Sequence, residues 1–138
     1  MNTFRAATMA DHGALLAFVD AACATVGADA SFAVRLAVEE VFTNILEHGY
    51  GGAAGPVAVS VATTAGSVRL VLDDEAATFD PAAAPRPVLD AALEEREPGG
   101  LGWHLVSELM DEVMHAPRSP RGNTYTLVKR LPAPAPAA

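Results

Sequence analysis

Cysteine and basic side chains are both scarce in this 138-residue chain, and each scarcity narrows what the protein does. The single cysteine, Cys23, has no partner for an internal disulfide and sits in an alanine-rich apolar stretch. Such a thiol is expected to be buried and inert, because cysteine packs as a small hydrophobe. Nine Lys+Arg stand against seventeen Asp+Glu, a formal charge of -8, and no basic run is present. Sequence-independent nucleic-acid binding needs Lys and Arg to displace counterions, so neither DNA or RNA nor an anionic membrane is an expected partner. Nowhere do about 18 apolar residues run together, the length a spanning helix requires. Met1 to Ala10 carries no basic segment leading into a long apolar one, so the expected location is the cytoplasm. No internal repeat is visible.

What is abundant is apolar: 51% of residues are hydrophobic and 19% charged, enough to bury one core in a chain of this size. The expected organisation is one domain over residues 1–131, followed by a disordered Pro/Ala extension over 132–138.

Periodicity orders the elements. Thr3 to Met9 suits a short strand, and from Asp11 the residues Leu15, Leu16, Val19, Ala22, Cys23 and Val26 recur at helical spacing until Gly27. Asp29 or Ser31 is placed to cap a second helix carrying Phe32, Leu36, Ala37, Val41, Ile45 and Leu46, ended by Gly49, Gly51 and Gly52. The period then becomes two. Val57, Val59 and Val61, a turn at 65–67, and Val68, Leu70 and Leu72 predict a hairpin with one buried face. Residues 74–98 hold four prolines and read as a long, mobile loop, of a length that is usually functional or disordered, with room for a short helix over 88–96. Gly99-Gly100-Leu101-Gly102 opens a third helix, a strand is expected over 112–116, and Asn123 to Leu131 closes the chain as a strand. In that strand Tyr125, Leu127 and Lys129 share one face, and Thr124, Thr126 and Val128 the other. The order βααββ, loop, αββ predicts an α/β (α+β) fold, a two-layer sandwich whose mostly antiparallel, mixed sheet carries its helices on one face.

Three polar groups of residues stand out. On the second helix Glu40, Asn44 and His48 recur every fourth residue, which sets them in one row. Magnesium keeps several waters and takes few protein ligands beside nucleotide phosphates, so Asn44 suits a ligand and Glu40 a base one turn away. The same row equally suits a solvated polar face with Glu39 and Glu47. At 72–81 a strand ends in acidic residues and breaks. A carboxylate there can accept a hydrogen bond from the exocyclic amine of adenine, where guanine presents a carbonyl; the alternative is an ordinary acidic turn, with Phe79 a core plug. At 99–106 glycines directly precede an amphipathic helix, and their N–H groups can approach phosphate oxygens, although a flexible helix start reads the same way. The pattern is neither Walker A nor the dinucleotide fingerprint. No compact zinc-ligand set forms from His12, His48, His104, His115 and Cys23.

Taken in order, Glu40-x3-Asn44 on a helix, Asp74-x-Ala76-x2-Phe79-Asp80-Pro81 after a strand, and Gly100-x-Gly102 before a helix resemble the three boxes of the Bergerat ATPases. The run from Glu40 to Tyr50 and that from Gly99 to Val106 resemble more closely the anti-sigma factor serine/threonine kinases. The resemblance implies the cofactors ATP and Mg2+. It implies Asn44 as the metal holder, Glu40 as catalytic base, Asp74 on the adenine amine, Gly100 and Gly102 on phosphate, and residues 82–98 as a lid. The nucleotide-contacting set on this basis is Asn44, His48, Asp74, Ala76, Phe79, Gly100, Leu101, Gly102 and Thr126. Such proteins bind a sigma factor, phosphorylate a small STAS-type anti-anti-sigma protein and work as homodimers. Two features depart from the pattern: Ala76 stands where glycine is usual, and Arg96 is alone as a basic residue near the lid glycines, with Pro98 where arginine is expected. They motivate an alternative, a binding module without transfer activity. A detached histidine-kinase ATPase domain is the third reading.

Overall fold

The computed structural model describes residues 2–78 and 98–132, the stretch 98–102 in its backbone course only. Strand β1 (Asn2–Ala6) leads through a single 3-10 turn at Met9–Asp11 into helix α1 (His12–Ala22). Helix α2 (Ala28–Asn44) follows and widens into a π-helical turn at Ile45–Gly49. Next come β2 (Val57–Thr63), β3 (Ser67–Asp74), α3 (Pro98–Leu109), β4 (Glu112–Pro117) and β5 (Asn123–Arg130). This is the predicted element order. The proposed short helix at 88–96 and the tail from residue 133 lie outside the described residues.

The strands form one five-stranded sheet in the order β1-β2-β3-β5-β4. All its pairings are antiparallel among the described residues. The last strand does not add to the edge but inserts between β3 and β4. That crossover brings Asp74 opposite Asn123, residues far apart in the chain.

Alternation decides which face is buried. Val57, Val59 and Val61 of β2, Val68, Leu70 and Leu72 of β3, and Tyr125 and Leu127 of β5 join Val34, Val38, Val41, Phe42 and Ile45 of the second helix region in one core cluster. The expected two faces of β5 are therefore the observed ones. Phe32 is a correction: it was expected on the buried stripe and is 65% exposed. The stripe instead runs through Ala30, Ala33, Val34, Ala37, Val38, Val41 and Phe42. Phe32 lies two residues from Ala30 and from Val34, roughly 200° around the helix. The start of α2 also differs from expectation. Its N-cap is Gly27 at φ 96 with no side-chain cap, so neither Asp29 nor Ser31 caps it. The side-chain cap belongs instead to the 3-10 turn, where Thr8 and Asp11 form a reciprocal capping box.

Cys23 is buried, and burial, with the Asp20 charge adding, pushes its thiol upward. An apolar thiol held protonated is a poor nucleophile.

Candidate nucleotide site

Helix α2 supplies the first group. Glu40 and Asn44 are half-buried, and Asn44 is the last residue with α geometry. Beyond it the Tyr50 N–H reaches back five residues to the Ile45 carbonyl at 2.9 Å. Such π-turns widen the helix and are common where side chains must be re-aimed. His48 lies inside this turn, one turn beyond Asn44, and is solvent-exposed. The Glu40 carboxyl is held above the usual glutamate range, first by burial, then by the neighbouring charges of Glu39 and Glu47. A carboxylate raised in this way is a stronger base once ionised.

The end of β3 supplies the second. Asp74 is only 1% exposed. Its Oδ1 accepts from the Ala76 N–H at 3.0 Å and from the Asn123 amide at 3.0 Å. Its Oδ2 is buried and has no hydrogen-bond partner among the described residues. A buried carboxylate oxygen without a donor costs a few kcal/mol, so it marks a place where a donor belongs. An exocyclic amine fits that requirement. The base-recognition residue predicted from sequence therefore has the chemistry an adenine needs.

Helix α2 and β3 meet here. The Tyr50 hydroxyl accepts from the Glu75 N–H at 2.8 Å and donates to the Pro56 carbonyl at 2.6 Å, which ties the helix end to the strand end. Ala76 is fully buried, and no non-glycine residue among those described has positive φ. The departure from glycine in this box is thus accommodated without the backbone conformation that alanine resists.

The third group is carried by α3. Its helical geometry begins at Pro98, so Gly100, Leu101 and Gly102 lie within its first turns rather than in a loop ahead of it. Proline suits a first helical position, and the N–H groups of the turn that follows have no intrahelical acceptor. Trp103 stands 5.9 Å from Tyr125, centroid to centroid, and Lys129 donates to the Leu109 carbonyl at 3.1 Å. Helix α3 consequently runs alongside β5 in the same direction, with its glycine end toward Asn123 and Asp74. The end of α2, the end of β3 and the start of α3 meet at one end of the sheet.

Two residues change the predicted set. Thr126 pairs with Val71 on the sheet face opposite Asp74, Asn123 and Tyr125, so it does not join them. Asn123, not singled out from sequence, is 1% exposed and does contact Asp74. The signal for it was the alternation of β5, which sets residue 123 on the face of Tyr125 and Leu127. Around it the β4–β5 turn closes over Asp74. Arg118 donates to the Asp74 carbonyl at 2.8 Å, and Gly122, at φ 112, passes so close that a Cβ would collide with that carbonyl. Phe79, Arg96 and the lid apart from Pro98 lie outside the described residues. Among the described residues no three His, Cys, Asp or Glu side chains gather into a metal cage. A Mg2+ ion held by one amide and phosphate oxygens does not call for one.

These features define a nucleotide-binding α/β sandwich, and comparison with known proteins agrees. A family model described as the histidine kinase-like ATPase domain matches residues 5–129. The anti-sigma F factors of Bacillus thuringiensis (strain Al Hakam), Bacillus mycoides (strain KBAB4) and Bacillus anthracis (strain A0248) are each 32% identical over 99 residues, covering 71% of this chain and 68% of theirs. The chain belongs to the histidine kinase-like ATPase family and, within it, to the family of the anti-sigma F factors.

Proposed function

We propose that this protein binds Mg·ATP, sequesters a sigma factor, and as a serine/threonine kinase phosphorylates a STAS-type anti-anti-sigma protein, acting in the cytoplasm as a homodimer. One observation carries the nucleotide part: the buried Asp74 carboxylate, with Oδ1 engaged twice and Oδ2 awaiting a donor. The sigma-factor part is supported by the likeness to anti-sigma F factors.

In this reading Asp74 selects adenine, Asn44 holds the metal, and Glu40 draws the proton from the acceptor hydroxyl. The N–H groups at the start of α3 steady the phosphates, where the helix dipole adds a favourable partial charge. Bound Mg2+ would supply charge neutralisation on the phosphates. The Glu40 carboxyl, raised by burial and by the neighbouring Glu39 and Glu47 charges, is a stronger base once ionised than an ordinary glutamate. His48, exposed one turn beyond Asn44, belongs in this reading to the nucleotide-contacting set.

The test is transfer of γ-labelled phosphate from ATP to candidate STAS proteins, with Glu40→Gln as the control. Label on a serine or threonine of the partner, lost in Glu40→Gln while ATP binding persists, is the expected result. Nucleotide binding without any transfer in the native chain would instead leave a binding-only regulator.

A further inference from the structure

Asp74 is the buried end of a chain of polar contacts that runs outward to His115. The Asn123 amide nitrogen donates to Asp74 Oδ1 at 3.0 Å and stands 3.1 Å from the Ala77 carbonyl oxygen. Both neighbours are acceptors, so the amide presents its nitrogen inward and its oxygen outward. That outward oxygen lies 2.7 Å from His115 Nε2, and an oxygen that only accepts obliges Nε2 to carry the proton. The ring itself rests 5.2 Å from Tyr125, centroid to centroid. His115 on β4 and Asn123 on β5 come within reach because the two strands pair antiparallel into the same turn.

We propose that His115 is a positioning residue for base recognition: by donating to the Asn123 amide it holds that amide against Asp74, and so keeps Oδ2 presented to the exocyclic amine of an adenine nucleotide. The inference rests on the adenine-site reading above and adds a residue to it. Were the amide to turn over, its oxygen would face the Asp74 carboxylate, two acceptors in contact without a proton between them. The carboxylate would then swing away, and an amino-bearing base would lose its acceptor. A 6-oxo base, which offers no amine, would lose nothing. The signature of a positioning role is therefore a selective loss of ATP over inosine triphosphate, which a general loosening of the fold would not produce.

His115→Phe keeps a ring against Tyr125 and removes the donor, whereas His115→Gln places an amide N–H near the position of Nε2. Calorimetry with Mg·ATP and Mg·ITP on the full chain is expected to show ATP affinity falling about tenfold in His115→Phe, with ITP changed less than about twofold and the ratio restored in His115→Gln. In the nucleotide-free protein the Asn123 side-chain amide protons should exchange slowly in the native chain and in His115→Gln, and rapidly in His115→Phe. Equal loss of both nucleotides, or an unchanged ATP to ITP ratio, overturns the proposal. So does slow amide exchange retained in His115→Phe. A native chain that takes up no ATP defeats the adenine reading itself, while the exchange measurement, which uses no nucleotide, still decides whether His115 holds Asn123.

Discussion

The Ala76 methyl lies against Gly49 so closely that a Cβ built on Gly49 would stand 3.1 Å from the Ala76 Cβ. One side of this contact between the helix end and the post-strand segment carries a methyl, and the other has room for none. Ala76→Gly should cost about 1–2 kcal/mol, from a lost buried methyl and a more flexible unfolded chain. The swap Gly49→Ala with Ala76→Gly returns a methyl to the same space and should recover more than half of that loss. Denaturant unfolding of the three variants reads the coupling. Because Ala76 has no positive φ, Ala76→Gly should leave Mg·ATP affinity within about twofold by calorimetry.

Asp74→Asn separates binding from stability. The amide still offers one acceptor to Ala76 and Asn123 but presents an N–H2 where Oδ2 stood. ATP affinity should drop by about a hundredfold, since a charged acceptor is replaced by a donor facing a donor. Thermal stability should hold or rise, because a buried carboxylate with an unmatched oxygen is removed. Thermal melts beside ATP titrations check both.

Glu40 gives a pH dependence of defined sign. Its native carboxyl binds its proton more tightly than the unfolded chain does. Its contribution to stability is therefore largest below the unfolded value and is lost as pH rises through the native one. Glu40→Gln should flatten the stability profile as pH rises out of the ordinary carboxylate range and melt no lower than the native protein at pH 7. Transfer activity in the native protein should follow the opposite course, climbing with pH as Glu40 ionises. Melting curves and initial rates across that range test the two halves separately.

Tyr50 makes a stability prediction with a binding consequence. Tyr50→Phe removes the acceptor of the Glu75 N–H and the donor to the Pro56 carbonyl, at a cost of about 1–3 kcal/mol. The loss loosens the segment that follows Asp74, so ATP affinity should fall severalfold as well. Gly55→Ala should be harsher, because a Cβ at residue 55 would collide with the Tyr50 ring.

The strands were legible from sequence because alternation reports burial directly, and Val57, Val59, Val61, Val68, Leu70 and Leu72 alternate without interruption. Asp74 was legible as the acidic end of such a run. Helix phase was harder to read where alanines dominate. With Ala30, Ala33 and Ala37 forming much of the buried stripe of α2, Phe32 drew the expected face toward itself and is exposed. The π-turn at Ile45–Gly49 lengthens the helical repeat beyond Asn44, which no four-residue count anticipates. Thr126 and Asn123 differ in another way. Both sit on β5, and the alternation alone separates them once the Asp74 face is known. That face depends on β5 pairing with β3, a long-range choice that sequence periodicity does not contain.

The insertion of β5 between β3 and β4 has a consequence for synthesis. A nascent chain that has emerged only through β3 owns Asp74 but not the amide that steadies it, which lies 49 residues later. Contacts of such separation form late. If Asp74 receives adenine as proposed, a fragment truncated before residue 123 would lack the amide that steadies it and would compete poorly for ATP.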